Sequence, residues 1–399
     1  MAVKTGVLAS VLGMVLLGIG GNPAIAASPG ANGDLGWDRA NRMFEKATPT
    51  LAAPEASLHD DGISNFELSY SPDGTQVVFV RIDGGPEIFL GRADGKGTPV
   101  ALTDDAVVDS APVFSADGSR VVWERGAGEI WSMNGDGTGA VELTTSKAGD
   151  SAAYDPDDPS SMPAVSPQNG TIAFVHDGVL WTMAADGSSK QPLPSTCPVN
   201  TGICDPIFAN PDYSPNGSEI AFEYLGDIHI VPSSGGTTRP LIGNFTGPQL
   251  DPVFSPDGSM VAFESAMPAA DYELAVAAAD GTDTGPTILT DNFGSDANPA
   301  WQPLIEVTRS VTLTYRRKRT FKGTVTAEMQ GCAVGRKVKV YRQKRSGDRL
   351  VGSDKTDDSG RFAVGERDAR GKFYAALPRE DVVGTGTCAA AQSEALRVP

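Results

Sequence analysis

Residues 251–265 read DPVFSPDGSMVAFES. A Pro-punctuated apolar run, the turn S-P-D-G and a second alternating run make a β-hairpin, because Asp bonds back to turn backbone and Gly accepts positive φ. Related phrases open at Ser71 (SPDG), Ser115 (SADG), Ser166 (SPQNG), Ser214 (SPNG) and Ser255 (SPDG), 44, 51, 48 and 41 residues apart. That period predicts propeller blades, each a four-stranded antiparallel sheet.

The register inside the repeat is tighter than the period. Eight residues after each serine stands an aromatic: Phe79, Trp123, Phe174, Phe222 and Phe263. A third strand follows, and its apolar residue precedes the next turn by six positions in every copy, from Ile88 to Asp94, Ile130 to Asp136, Leu180 to Asp186, Ile228 to Ser234 and Leu274 to Asp280. Gly follows each time, as a tight hairpin requires. Short fourth strands end the units, as in VALTDD, VELTTS and TILTDN.

Five copies in a row would leave two open sheet edges. The flanking segments supply the missing pieces. SDANPAWQP carries Pro299 and Trp301 where the opening phrase has Pro252 and Phe254, which makes it a first strand without companions. GDLGWDRANRMF, with Trp37 and Met43, reads as second and third strands without a first, and SLHDD at 57–61 as the fourth. The prediction is an all-β chain: a six-bladed propeller over 33–303 whose last blade joins strands from both ends of the domain. Composition agrees, since 46 Gly and 29 Pro among 399 residues suit turns and leave long helical patterns scarce.

The unit P-x-[FW]-S-P-D-G-x-x-[VI]-x-F … D-G … L-T resembles the TolB-type, WD-like propeller repeat over residues 33–303. The resemblance implies a disc with a central channel, used as an envelope scaffold that binds protein partners and peptide segments. A different module follows the propeller here. Residues 307–399 hold 20 of the 32 Lys and Arg, so this part is basic while the rest of the chain is strongly acidic. Its runs SVTLTY, FKGTVTAE, RKVKVYRQ, GRFAVGE and GKFYAAL predict strands. VGSDKTDDSGRFAV is similar to a hairpin of transthyretin-like and carboxypeptidase-regulatory-like sandwiches, which implies an Ig-like β-sandwich.

Residues 1–27 read as a secretory signal peptide: a Lys near the start, the apolar GVLASVLGMVLLGIGG, then NPAIAA. No later segment is apolar enough to span a bilayer. The mature chain is predicted to be secreted, periplasmic or cell-surface. In an oxidising compartment the four cysteines pair within their own regions, Cys197 with Cys204 and Cys332 with Cys388. CxxC spacing is missing, so zinc is not predicted.

Catalytic motifs are not found. The string nearest to a G-x-S-x-G elbow is GDSAA around Ser151, without the final Gly. Asp117 and Gly118 are adjacent, which breaks a sialidase-type Asp box. The histidines, His59, His176 and His229, fall in different blades and read as packing residues. Asp155, Asp157 and Asp158 form an acidic loop that lacks EF-hand spacing. Asp109, Asp205, Asp251 and Asp296 stand before or near inner strands, where several blades would aim them at the channel mouth as a binding funnel for cationic ligands. The same residues would otherwise cap turns. The basic run TYRRKRTFK, 314–322, reads as a strand end, with attachment to an anionic envelope polymer as its functional alternative; nucleic acid is not an expected partner. The predicted function is a non-catalytic scaffold binding a protein or peptide at the channel face, without cofactor or metal. A carbohydrate-active hydrolase or lyase using channel carboxylates is the alternative.

Overall fold

The computed structural model describes residues 31–40, 42–47, 56–126, 128–144, 160–176, 178–194, 208–243, 247–266, 271–290, 294–304, 306–316, 319–327, 330–367, 369–382 and 386–399. The signal segment, Cys197, Cys204, Asp205 and the acidic loop at 155–158 lie outside the described residues. Two compact units emerge, Met1–Pro72 with Val77–Pro303, and Asp73–Gln76 with Leu304–Pro399. Among the described residues no helix is long and apolar enough to cross a membrane.

The first unit contains, among the described residues, six four-stranded antiparallel sheets. Sheet I runs Asp296–Leu304, Ala31–Arg39, Arg42–Ala47, Ala56–Leu58. Its first strand comes from the far end of the unit and pairs with the strand that carries Trp37, as the flanking segments predict. Sheets II to VI are each contiguous in sequence and begin with Asn65–Tyr70, Asp109–Phe114, Ser160–Val165, Phe208–Tyr213 and Gln249–Phe254. Fourth strands in these five are two residues long, such as Val100–Ala101, which keeps the exposed edge of each sheet short.

The repeated residues have separable jobs. In the SADG turn Asp117 accepts the Ser119 N–H at 3.0 Å and both flanking serine hydroxyls at 2.7 Å, while Gly118 takes φ 71°. The aromatics eight residues on are buried at 1% exposure or less. The L-T ending places Leu in the core and uses the Thr hydroxyl as an acceptor: Thr103, Thr144 and Thr290 take the N–H of Ile88, Ile130 and Leu274 at 2.9, 2.7 and 2.9 Å.

The core is a circuit of apolar interfaces between neighbouring sheets. Met43 and Leu58 of sheet I pack on Leu68 and Phe79 of sheet II. Val80 and Ile88 pack on Trp123 and Met133 of sheet III, and Val122 and Ile130 on Phe174 and Trp181 of sheet IV. Val175 and Leu180 meet Phe222 and Tyr224 of sheet V, whose Ile228 and Ile230 meet Phe254 and Phe263 of sheet VI. The circuit closes where Val253 and Val276 of sheet VI meet Trp37 and Trp301 of sheet I. Each sheet thus buries both faces, which explains why the strands read as near-continuous apolar runs.

The second unit is built of short β-sheets around Phe321, Val338, Val340, Phe362, Phe373 and Ala375. Cys332 and Cys388 form the predicted disulfide, with Cα atoms 5.4 Å apart and a sequence separation of 56. Closing a loop of that length stabilises by about 4 kcal/mol in the chain-entropy view.

Candidate functional site

The innermost strand of each sheet contains an irregularity that positions the site. In sheets II to VI the pairing with the second strand skips, so that two residues face one: Glu67 and Leu68 lie between the Phe66 and Ser69 pairs, and the same shift recurs at 111–112, 162–163, 210–211 and 251–252. Each partner residue is the repeat aromatic. At the first bulge position the backbone is left-handed in all six sheets: Glu67 (φ 54°), Ala111 (55°), Met162 (55°), Asn210 (47°), Asp251 (50°) and Asn298 (56°). The second position is Pro112, Pro163, Pro211, Pro252 or Pro299, with Leu68 the exception. Proline suits a bulge because it has no N–H to leave unpaired.

A bulge frees the N–H of the left-handed residue, and a buried N–H must find an acceptor. In every case the preceding sheet supplies it. Asp38 accepts from the Glu67 N–H at 2.6 Å, Glu124 from Met162 at 3.3 Å, and Glu264 from Asn298 at 2.9 Å. Glu223 accepts from Asp251. These four acids share one register, the residue immediately after the aromatic of the second strand. Sheets II and IV carry Val80 and Val175 there, and in both the left-handed residue substitutes its own side chain: Glu67 accepts from the Ala111 N–H at 2.9 Å, and the Met162 sulfur from Asn210 at 3.4 Å.

The outcome is a ring of carboxyl groups converging from different sheets on the centre. Glu67 of sheet II lies within electrostatic reach of Asp38, Glu124 and Asp251, from sheets I, III and VI. Glu264 lies within electrostatic reach of Glu223 and Asp38, and its carboxyl neighbours that of Asp251. Asn210 donates to Asp251 and, at 3.4 Å, to Glu223, while Asn298 donates to Asp38 at 2.7 Å. Among the described residues no Lys or Arg forms an ion pair with Asp38, Glu67, Glu124, Glu223 or Glu264.

Burial without a countercharge disfavours the ionised form. Burial pushes Asp38 up to about 7, and burial with the Asp251 charge pushes Glu223 up to about 7. Glu67 lies well above the usual carboxylate range, and Glu124 and Glu264 are also raised, in each case chiefly by burial. Asp38 is 5% and Glu67 0% exposed, yet Asp38 Oδ1, Glu67 Oε1 and the Oδ1 of Asn210 have no hydrogen-bond partner among the described residues. Among the described residues no three His, Cys, Asp or Glu side chains stand close enough together to hold one metal ion.

Of the predicted funnel residues, Asp251 belongs to this ring. Asp109 and Asp296 are buried two positions earlier on their strands and are engaged elsewhere. Asp109 accepts from the Trp123 indole at 2.8 Å and from Arg125 at 2.9 Å, and Asp296 from Trp37 at 3.2 Å and Arg39 at 2.8 Å. Both therefore tie the second strand to the first. The histidines pack on aromatic rings: His59 on Phe79, His176 on Trp181, His229 on Phe222 and Tyr224. Sequence reading passed over Asp38, Glu67, Glu124, Glu223 and Glu264; the signal was an acid following the repeat aromatic in four of six copies.

No family model and no curated protein sequence matches this chain. Among solved structures, TolB from Acinetobacter baumannii aligns with a TM-score of 0.54 at 19% identity over 73% of this chain and 70% of that chain. A chain of a nidogen/laminin complex aligns with a TM-score of 0.50 at 10% identity, covering 67% of this chain and 98% of its own. An oligogalacturonate lyase from Vibrio parahaemolyticus aligns more loosely, with a TM-score of 0.43 at 13% identity over 59% of this chain and 72% of that chain. At these identities the likeness concerns the fold.

Proposed function

We propose that this chain, a propeller of the TolB-like fold, is a non-catalytic scaffold of the cell envelope that binds a protein or peptide partner at the centre of the ring, through a cationic segment of that partner. The observation that carries the reading is the pair of buried acids, Asp38 and Glu67, each with an oxygen that has no partner, and neither with a paired cation, among the described residues. A guanidinium or ammonium group would supply the missing donors and the missing charge together, and charge-assisted bonds of this kind are among the stronger ones. Export by the segment at 1–27 would deliver the chain to that compartment.

Binding has a proton signature. Carboxyl groups protonated in the free chain near pH 7 must ionise to pair with a cation, so complex formation releases protons and affinity rises from about pH 5 to about pH 8. The probe is a short oligo-arginine peptide beside its citrulline counterpart, which keeps shape and loses charge, titrated calorimetrically into the full chain in buffers of different ionisation heat. The arginine peptide is expected to bind at least about tenfold more tightly, with proton release, and Asp38→Asn/Glu67→Gln to remove the difference. Equal affinity for both peptides contradicts the reading.

The Asp251–Glu264 pair favours one alternative, a hydrolase or lyase acting on polysaccharide, because neighbouring carboxyl groups, one of them raised by burial, can divide the roles of acid and base. Release of new chain ends from polysaccharide by the unaltered chain, abolished in Glu264→Gln, would favour that alternative over the scaffold.

A further inference from the structure

The second unit presents a basic groove of about 540 Å³ that the propeller function leaves unused. It lies on strands Thr314–Arg316, Thr320–Ala327 and Arg361–Gly365, with the neighbouring strand Arg349–Lys355 along one side. Phe321, Val325, Phe362 and Val364 point into the core, so the alternating residues Lys322, Thr324, Arg361 and Ala363 face outward. Register then orders the charges. Arg316 stands opposite Thr320, Thr314 opposite Lys322, and Lys322 opposite Ala363, which is two residues from Arg361. Arg316 to Lys322 and Lys322 to Arg361 are diagonal neighbours, roughly 7–8 Å apart at each step. Lys355 adds a fourth cation to the lining.

The groove also holds two acids, and both are occupied by backbone. Asp354 accepts the N–H of Lys355 at 2.9 Å and of Ala363 at 2.8 Å; Asp357 accepts those of Ser359 and Arg361 at 2.9 Å and lies within electrostatic reach of Arg361. Arg316, Lys322, Lys355 and Arg361 form no ion pair with a described residue. Cations stepped along a line are too far apart to converge on one small anion, and a concave strip fits a chain better than a flat surface.

We infer that this groove binds a linear polyanion, a polymer whose oxyanion groups recur along its length and meet Arg316, Lys322 and Arg361 in succession. Three contacts of this kind release counterions, so log affinity should fall with log salt at a slope of about −2. The test uses the full chain and inorganic polyphosphate, with inorganic phosphate and vesicles containing anionic lipid as separate arms. Polyphosphate is expected to bind with that slope, and Arg316→Glu/Lys322→Glu/Arg361→Glu to weaken it by at least about tenfold. Lys344→Glu/Arg345→Glu/Arg349→Glu removes the same charge from exposed sites outside the groove and is expected to change affinity by less than about threefold. Equal losses in the two triple variants would reduce the effect to net charge and overturn the inference. So would binding to vesicles without binding to polyphosphate, or inorganic phosphate binding as tightly as the polymer. Circular dichroism melts of both variants confirm that the comparison is between folded chains.

Discussion

Trp37→Ala destabilises the propeller by about 3–5 kcal/mol, the cost of emptying a large buried aromatic site. The ring is shut by a single sheet in which Asp296–Leu304 pairs with Ala31–Arg39, and Trp37, 1% exposed, sits in the seam with Trp301, Val253 and Val276. Its indole N–H donates to Asp296 across 259 residues of sequence, and Arg39 anchors the same carboxylate from the same strand. Asp296→Ala is expected to cost a similar amount, because it removes a fully buried carboxylate that accepts from the Trp37 indole and from the half-buried Arg39. Equilibrium unfolding in denaturant measures both. Trp123→Ala is the comparison, since Trp123 and Arg125 hold Asp109 in the same arrangement within one contiguous sheet. Limited proteolysis then separates the two: only the Trp37 and Asp296 variants should expose the chain near residue 31 ahead of global unfolding. A loss below about 1 kcal/mol for both would mean that the two ends do not hold the ring together.

Propeller stability falls as pH rises from about 4 to about 7. A carboxyl whose folded pKa lies above its unfolded value contributes stability that is fully present below the unfolded pKa and lost as pH passes the folded one. For Asp38 that window runs from its ordinary value of 3.8 to about 7, which corresponds to about 4 kcal/mol at one buried site. Glu67, Glu124, Glu223 and Glu264 act in the same direction. The turn aspartates act oppositely, since hydrogen bonds from Ser and Thr lower Asp117, Asp136, Asp186 and Asp280, but these groups lie at the surface and weigh less. Asp38→Asn keeps an oxygen for the Glu67 N–H and cannot ionise. It should therefore melt higher than the unaltered chain at pH 8 and close to it at about pH 4. A variant less stable at both pH values would show that the ionised carboxylate is a net support.

The propeller was legible because its signals are local and repeated. The eight-residue interval from turn Ser to aromatic is the length of one hairpin arm, and any insertion there would break the register of a sheet buried on both faces. Closure could be inferred for the same reason, since Trp301 and Trp37 lie in fragments of a phrase found complete elsewhere. The acid ring was not legible, because a two-residue alternation cannot show a bulge in which two residues face one. Asp109 and Asp296 stand at the strand start, where an Asp reads as a turn cap or a funnel residue, and nothing local announces their Trp and Arg partners. Glu124, Glu223 and Glu264 look like the outward half of an alternating strand. They are instead acceptors for N–H groups 34 to 38 residues away in two of the three cases. Asp251 stands out in the sequence as an acid near an inner strand, although Asn210, Glu223 and Glu67, which meet it in the ring, belong to other repeats.

Site-resolved carboxyl 13C shifts of Asp38 and Glu223, followed from about pH 4 to about pH 9, test the unsatisfied acid ring most directly. Both groups are predicted to titrate near pH 7 in the free chain and to move down when the oligo-arginine peptide is bound. Titration of both below about pH 5, with or without peptide, contradicts a buried acidic centre that awaits a cation.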